Sequence, residues 1–340
     1  SSQTKNNGIL GYIDSYDFKG NYLTWTTDGA NAGTVFIRKG DFNCTNVCGL
    51  LKIKKEQEKY FDLRFLYHII KVIAKENKRD DINGGKLMSN EMGNLKIFYP
   101  ASIEEQKAIA YFLDDKVGDI TALIHTIDTQ IENFEDYKKA MVRDYITNKR
   151  KIGNASNKGK SNLLRIKDIV EVNSGKSLPK SFEKKDGFPV YGANGVISYS
   201  KFFNINQEKV LLGRVGSCGE VNIAPSHSWI SDNALILNIR KNKVINKFLY
   251  YFFTVFPFDT IISKTAHPLL TGGVVKNLFL NIPQIKEQGA IVNYLDEKID
   301  KIDKLIKNLQ KQKQNLIDYK KVLISDVVTG KIKVYNENPN

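Results

Sequence analysis

Few residues of this chain stand in a pattern that performs chemistry by itself. The four histidines, His68, His125, His227 and His267, are scattered, and none keeps company with Cys, Asp or Glu at metal-ligand spacing. Cys44 and Cys48 lie four apart without the further Cys or His that a zinc site needs. With Cys218 they make no disulfide framework and read as reduced thiols. Ser174-Gly175-Lys176-Ser177 has the ending of a phosphate loop, but Val170 occupies the place of its first glycine. A nuclease-like Asp…Glu-x-Lys can be assembled from Asp168, Glu183 and Lys185, or from Asp62, Glu76 and Lys78. Such loose patterns arise by chance in a lysine-rich chain. The Asn/Asp-Pro-Pro-Tyr of amino-methyltransferases and the Gly-x-Gly-x-x-Gly of dinucleotide sites are absent. What remains is the chemistry of binding. Lys and Arg number 51 against 37 Asp and Glu, a formal charge of +14. A protein this basic meets a polyanion, nucleic acid being the commonest, or carries the charge for solubility alone. The aromatic run from Phe248 to Phe258 has two readings, a base-stacking platform and a core segment. Aliphatics at the matching place of the first half, Ile69 and Ile70, favour the core.

Two rods position whatever binds. Leu113, Val117, Ile120, Ile124, Ile127, Ile131, Phe134, Lys138, Met141 and Tyr145 are spaced alternately by four and three. Leu295, Ile299, Ile302, Ile306, Leu309, Lys313, Leu316, Lys320, Leu323 and Val327 repeat that spacing 182 residues later. This is a heptad seam, and it occurs twice. About 45 residues at 1.5 Å each give a rod of roughly 68 Å. A seam needs a partner, and the nearest is the other rod. The body between them brings the chain back, so the rods are expected to pack antiparallel as a coiled coil. Lys138 and Lys320 hold equivalent seam positions, where they either fix register or lean out along their stems.

The repeat reaches beyond the rods. Asn7-Gly8-Ile9-Leu10-Gly11-Tyr12 answers Asn194-Gly195-Val196-Ile197-Ser198-Tyr199, Phe65-Leu66-Tyr67 answers Phe248-Leu249-Tyr250, and Glu105-Gln106 answers Glu287-Gln288. Each half reads as a body of short strands and one helix, then a proline, Pro100 or Pro283, then a rod. The expected organisation is a first body over residues 1–100, incomplete at its start, and a first rod over 101–147. A basic linker over 148–161 follows, then a second body over 162–283, a second rod over 284–330 and a tail over 331–340. The fold class is α+β, two mixed α/β bodies with two long helices and an internal pseudo-two-fold repeat. No apolar run reaches the roughly 18 residues of a membrane helix, and the polar start lacks the apolar core of a signal peptide. These readings place the chain in the cytoplasm.

The sequence Asn281-Ile282-Pro283-Gln284-Ile285-Lys286-Glu287-Gln288, then Asp296-Glu297-Lys298-Ile299-Asp300, with the copy from Pro100 to Ile120, resembles the specificity subunit of a type I restriction–modification enzyme. Ser174-Gly175-Lys176-Ser177-Leu178-Pro179 and Tyr191-Gly192-Ala193-Asn194-Gly195 resemble the opening of its target-recognition domain. The resemblance covers nearly the whole chain and departs from the family where the first domain lacks its opening. It implies that each body reads one half of a split target in double-stranded DNA, with the rods setting the gap. It implies that modification subunits, which bind S-adenosylmethionine, dock on the helices and bodies. Restriction subunits, working with ATP and Mg, then join. This chain would hold no cofactor and no metal, and would catalyse nothing.

Candidate DNA-binding residues follow from charge and hydrogen-bonding capacity on loops. In the first body they are Asn7, Lys19, Arg38, Arg79, Asn83 and Lys86; in the second, Lys176, Ser177, Lys180, Asn194, Arg214, Ser217, Lys264 and His267. Each is weighed against a solvated surface role. The connector from Lys149 to Lys160 is read as a linker in preference to a phosphate contact. Competing readings are the specificity half of another restriction–modification class, a coiled-coil scaffold with two heads and no DNA role, and a nuclease built on the Glu-x-Lys patterns.

Overall fold

A computed structural model describes residues 4–82, 84–152, 162–240, 243–262 and 268–335. The fold is mixed α/β, with two long helices and two bodies, and it divides into two compact units. One comprises residues 1–129 with 308–340; the other comprises residues 130–307.

In the first unit the strand Phe18–Thr26 runs antiparallel between Val35–Phe42 and Cys48–Leu51. Leu23, Trp25 and Val35 turn inward. The Trp25 ring lies across Gly49, where any Cβ would stand only 2.1 Å from it, so this pair of neighbours requires glycine. The helix Leu63–Glu76 begins cleanly because the Asp62 carboxylate accepts from the amides of Arg64 and Phe65, at 2.9 and 3.0 Å. Its Phe65, Leu66 and Ile69 pack with Leu23 and Trp25, with Leu113 and Ile120 of the first rod, and with Leu323 and Val327 of the second. Burying each such side chain contributes about 1.5–3 kcal/mol.

In the second unit Lys209–Gly213 lies between Val221–Ala224 and Ala234–Ile239, and Val170–Ser174 pairs with the outer side of Ala234–Ile239. Val221–Ala224, Lys209–Gly213 and Ala234–Ile239 thus repeat the three-stranded order of the first unit's sheet. The aromatic run supplies core: Phe248, Leu249 and Phe253 of helix Asn246–Thr254 are buried with Val210, Leu212, Met141 and Leu295. A second sheet has no counterpart in the first unit among the described residues. It orders Trp229–Ile230, Phe188–Gly192, Gly195–Ser200 and Glu183–Lys184. Here the repeated motif behaves differently in its two copies. Gly195–Ser200 is a strand because Phe188–Gly192 and Glu183–Lys184 flank it. The matching stretch after Asn7 has no flanking strand among the described residues; it leaves the short 3-10 turn Lys5–Gly8 as irregular chain with Leu10, Tyr12 and Ile13 exposed.

The rods are Ile103–Ile146 and Ile285–Val328, each 44 residues long. Every seam position in both is buried or half-buried. In the first unit Lys313 meets Asp128 at 2.5 Å and Lys320 meets Thr121 at 2.7 Å. In the second, Lys138 meets Asp303 at 2.8 Å and the rings of Tyr145 and Tyr294 lie 4.7 Å apart. Rising numbers on one helix face falling numbers on the other, so the pair is antiparallel in each unit. Most of the basic linker, residues 153–161, lies outside the described residues.

Candidate nucleic-acid interface

One end of the second unit's main sheet gathers five of the candidate side chains. Four strand ends meet there: Ser174 pairs with Leu235, Ala234 with Gly213, and Leu212 with Val221. The loops that leave these ends carry Lys176, Ser177, Arg214 and Ser217. Two glycines let the loops close on one another. A Cβ at Gly175 would stand 2.1 Å from the Ser231 carbonyl oxygen, and one at Gly213 would stand 2.0 Å from that of Ser217 and 2.7 Å from that of Ala193. The last contact brings the hairpin turn with exposed Asn194 onto the same rim. The amide of Ser231 donates to the Tyr191 carbonyl at 2.9 Å and that of Lys176 to the Ile230 carbonyl at 2.9 Å, so both sheets share this edge.

Each side chain on the rim has a definite station. The Arg214 guanidinium donates to Ser174 Oγ at 3.3 Å, while its buried Nε has no partner among the described residues. Ser177 Oγ donates to Asp232 at 2.7 Å, and Trp229 Nε1 donates to the Lys176 carbonyl at 2.8 Å, which leaves the Lys176 side chain exposed. The Cys218 thiol lies 2.9 Å from the carbonyl oxygens of both Arg214 and Pro268, pinning the Ser217 loop to the segment after residue 267. Lys180 is exposed on the 3-10 turn Lys180–Phe182, a few residues beyond the rim. Lys264 and His267 lie outside the described residues.

The first unit distributes its candidates. Arg79 and Lys86 face each other across the small sheet formed by Asp28–Gly29, Gly84–Lys86 and Arg79–Asp81. That sheet sits at the corresponding end of Phe18–Thr26, because the Leu87 amide donates to the Thr27 carbonyl at 2.9 Å and Trp25 Nε1 to the Leu87 carbonyl at 2.8 Å. Arg79 is held by Glu91 at 2.8 Å. Arg38 and Asn7 come together elsewhere. The half-buried guanidinium donates to the Asn7 carbonyl at 2.8 Å, lies 4.7 Å from the Phe36 ring, and has its pKa lowered by burial. It lines a cleft of about 600 Å³ with Gly8–Ile13, Cys44 and Cys48. Lys19 pairs loosely with Asp41 at 3.9 Å on an exposed strand. Asn83 lies outside the described residues.

The nuclease-like patterns do not assemble. Asp62 caps the start of the helix that Glu76 ends, fourteen residues and about 21 Å away. Asp168 lies on the turn Ile166–Ile169 and Glu183 in the other sheet. Among the described residues, no three His, Cys, Asp or Glu side chains form a metal-binding group.

The family model of the type I restriction modification DNA specificity domain matches residues 1–133 and 159–325. The chain belongs to this family. It is 28% identical over 305 residues to a putative type I specificity subunit of Mycoplasma pneumoniae, covering 87% of this chain and 79% of that one. It is 26% identical over 309 residues to a putative type I restriction enzyme specificity subunit of Methanocaldococcus jannaschii, covering 83% and 70%. A solved structure described for the assembly and conformational transition of the type I R-M system shares the fold, with a TM-score of 0.75 at 15% identity over 92% of this chain and 82% of that one. In this specificity domain the residues missed by sequence reasoning are Ser174, which receives Arg214, and Asp232, which receives Ser177. Asp232 carried no signal, since a carboxylate counts against DNA until its role in orienting a hydroxyl is seen.

Proposed function

We propose that this chain is the non-catalytic specificity subunit of a type I restriction–modification complex, reading a two-part double-stranded DNA target with one half assigned to each body. The observation that carries this reading is the rim of the second sheet, where Lys176, Ser177, Asn194, Arg214 and Ser217 stand on loops braced by close backbone contacts. Cations and hydroxyls on a rigid rim suit the two tasks of a DNA reader, gripping phosphates and hydrogen-bonding base edges. In the first body Arg79 and Lys86 are the corresponding candidates. The target methylation belongs to modification subunits with S-adenosylmethionine, and cleavage to restriction subunits with ATP and Mg. The reading places the chain in the cytoplasm; among the described residues no helix is long and apolar enough to cross a membrane.

The test is to express the chain with its modification subunit and map methylated adenines in the host genome. Arg214→Ala should relax the motif in one half of the target and leave the other half intact. Uniform loss of methylation at every site, or an unchanged motif, would count against it. Affinity for the target should fall steeply between low and moderate salt, whereas a scaffold without a DNA role would show weak, salt-insensitive association.

A further inference from the structure

The outer faces of the two main sheets carry opposite chemistry. Trp25 pairs with Val35 as Leu212 pairs with Val221, and Thr26 pairs with Cys48 as Gly213 pairs with Ala234. Cys48 therefore stands where the second unit has Ala234, and Thr26 where it has Gly213. In the second unit that face is dry: Leu211, Ala224 and Ala234 are buried with Ile230 and Tyr191 of the other sheet. In the first unit it opens onto the cleft of about 600 Å³, which Thr26, Arg38, Cys44 and Cys48 line together.

A turn brings the two cysteines to one place. The Cys48 amide donates to the Thr45 carbonyl at 3.0 Å, and Thr45 Oγ1 lies 3.7 Å from Cys48 Sγ. The two thiols hydrogen-bond to each other. That bond pulls the Cys48 thiol down to about 5, against the effect of burial, and pushes the Cys44 thiol up. The Arg38 guanidinium lies within electrostatic reach of both sulfurs. Near neutral pH Cys48 thus carries the charge and Cys44 the proton. Thr26 is 1% exposed, and its hydroxyl has no partner among the described residues. It stands directly opposite Cys48, a pairing that sets Cβ atoms about 5 Å apart. A buried, unpaired hydroxyl beside a sulfur suits an oxygen atom that the sulfur gains. Cys218 has none of this. Its thiol lies against two carbonyl oxygens at 2.9 Å, and the other two cysteines belong to the other unit.

We propose that Cys48 and Cys44 form a hydroperoxide-reactive thiol pair that closes to a disulfide inside the first body. The Cys48 thiolate attacks one oxygen of the hydroperoxide. The O–O bond breaks, hydroxide leaves, and Cys48 becomes a sulfenic acid. The Cys44 sulfur then attacks the Cys48 sulfur. The S–O bond breaks, the S–S bond forms, and the Cys44 proton departs with the hydroxyl as water. The two thiols lose two electrons and the hydroperoxide takes them up. An ionised, accessible thiol beside a second one that can resolve it is the arrangement this chemistry needs. The turn also adjoins the edge that carries Lys86: the Thr27 amide donates to the Val47 carbonyl at 3.0 Å, and the Leu87 amide to the Thr27 carbonyl at 2.9 Å.

The test is to treat the reduced full chain with hydrogen peroxide at pH 7 and map its cysteines by mass spectrometry. A bond between Cys44 and Cys48 should form while Cys218 stays a thiol, and dithiothreitol should reverse it. The folded chain should react about 10-fold faster than the chain unfolded in guanidinium chloride, where Cys48 titrates as an ordinary thiol. Cys44→Ser should stop at a sulfenic acid on Cys48, trapped by dimedone. Cys48→Ser should react no faster than the unfolded chain. Circular dichroism shows whether each serine variant is folded; should one unfold, the mapped bond and the rate contrast of the unaltered chain decide the matter. Equal rates in the folded and unfolded chain, oxidation of Cys218 first, or disulfides only between chains would each overturn the proposal.

Discussion

The two places where a rod joins its body are built on one plan with one change of ring. In the first unit Gln106 is fully buried, accepting from the Asp62 amide at 3.0 Å and donating to the carbonyls of Tyr60 and Pro100, both at 2.9 Å. In the second, Gln288 accepts from the Ile245 amide at 2.9 Å and donates to the carbonyls of Lys243 and Pro283 at 2.8 and 2.9 Å. Two turns further along each rod an aspartate meets the body helix. Asp114 takes His68 at 2.8 Å and Arg64 at 3.4 Å; Asp296 takes Tyr251 at 2.5 Å and Lys247 at 2.7 Å. The latch is the same, but a histidine stands in one copy where a tyrosine stands in the other. Geometry alone therefore tolerates either ring. What differs is the ionisable group, because an imidazole can take up a proton in the range where a phenol stays neutral.

The largest expected effect tests the sameness of the latches. Gln106→Leu and Gln288→Leu each remove three hydrogen bonds from a buried side chain to the backbone, and each should cost about 2–4 kcal/mol of unfolding free energy. Denaturant titration of the unit concerned is the check, and a large cost in only one copy would break the equivalence. Asp296→Ala should cost about 1–3 kcal/mol, since the Tyr251 hydroxyl is left buried without its acceptor. Asp114→Ala should cost less, because its carboxylate is the more exposed of the two, at 43% against 33%.

The exchange itself predicts a pH dependence confined to the first unit. Burial holds the His68 imidazole below its ordinary pKa in spite of Asp114, and burial pushes the Tyr251 hydroxyl up. In the folded state His68 stays neutral where the unfolded chain, below a pKa of about 6.5, takes up a proton. The stabilisation is complete above that value and is lost as the pH falls. Unfolding midpoints of the first unit should drop from pH 7 to pH 5, and His68→Gln should flatten that slope. An equal slope in both units would remove histidine as its cause.

The smallest effects come from the seam lysines. At Lys138 burial opposes the charge, but Asp303 and Glu135 overcome it and raise the pKa; at Lys320 burial and then the like charge of Lys71 lower it. Replacing Lys320 by Leu should be neutral or stabilising, and replacing Lys138 by Leu mildly destabilising, each within about 1 kcal/mol. The thermal midpoint should fall in the Lys138 variant and should not fall in the Lys320 variant.

The rods were legible because a seam is local: spacing by three and four shows in any stretch of twenty residues. The same holds for Pro100 and Pro283 as punctuation. The latches were not, although Glu-Gln was visible at each rod start, because Gln106 and Gln288 find partners more than forty residues earlier. On the rim, charge and turn chemistry marked Lys176, Ser177 and Arg214, while the contacts that orient them, Ser174 to Arg214 and Asp232 to Ser177, join residues 40 and 55 apart. The repeated Asn-Gly motif shows the converse error. Asn194 turns a hairpin on the rim, whereas Asn7 caps Arg38 in a cleft, since a strand forms only where neighbouring strands complete its hydrogen bonds.

The sequence holds two tryptophans, and the fold sets one in each body: Trp25, 2% exposed, bonded to the Leu87 carbonyl, and Trp229, 8% exposed, bonded to that of Lys176. Each body thus contains its own intrinsic fluorophore. Replacing either indole by phenylalanine makes the emission of the other report on a single half, and the indole at position 229 sits close enough to the rim to register a ligand arriving there.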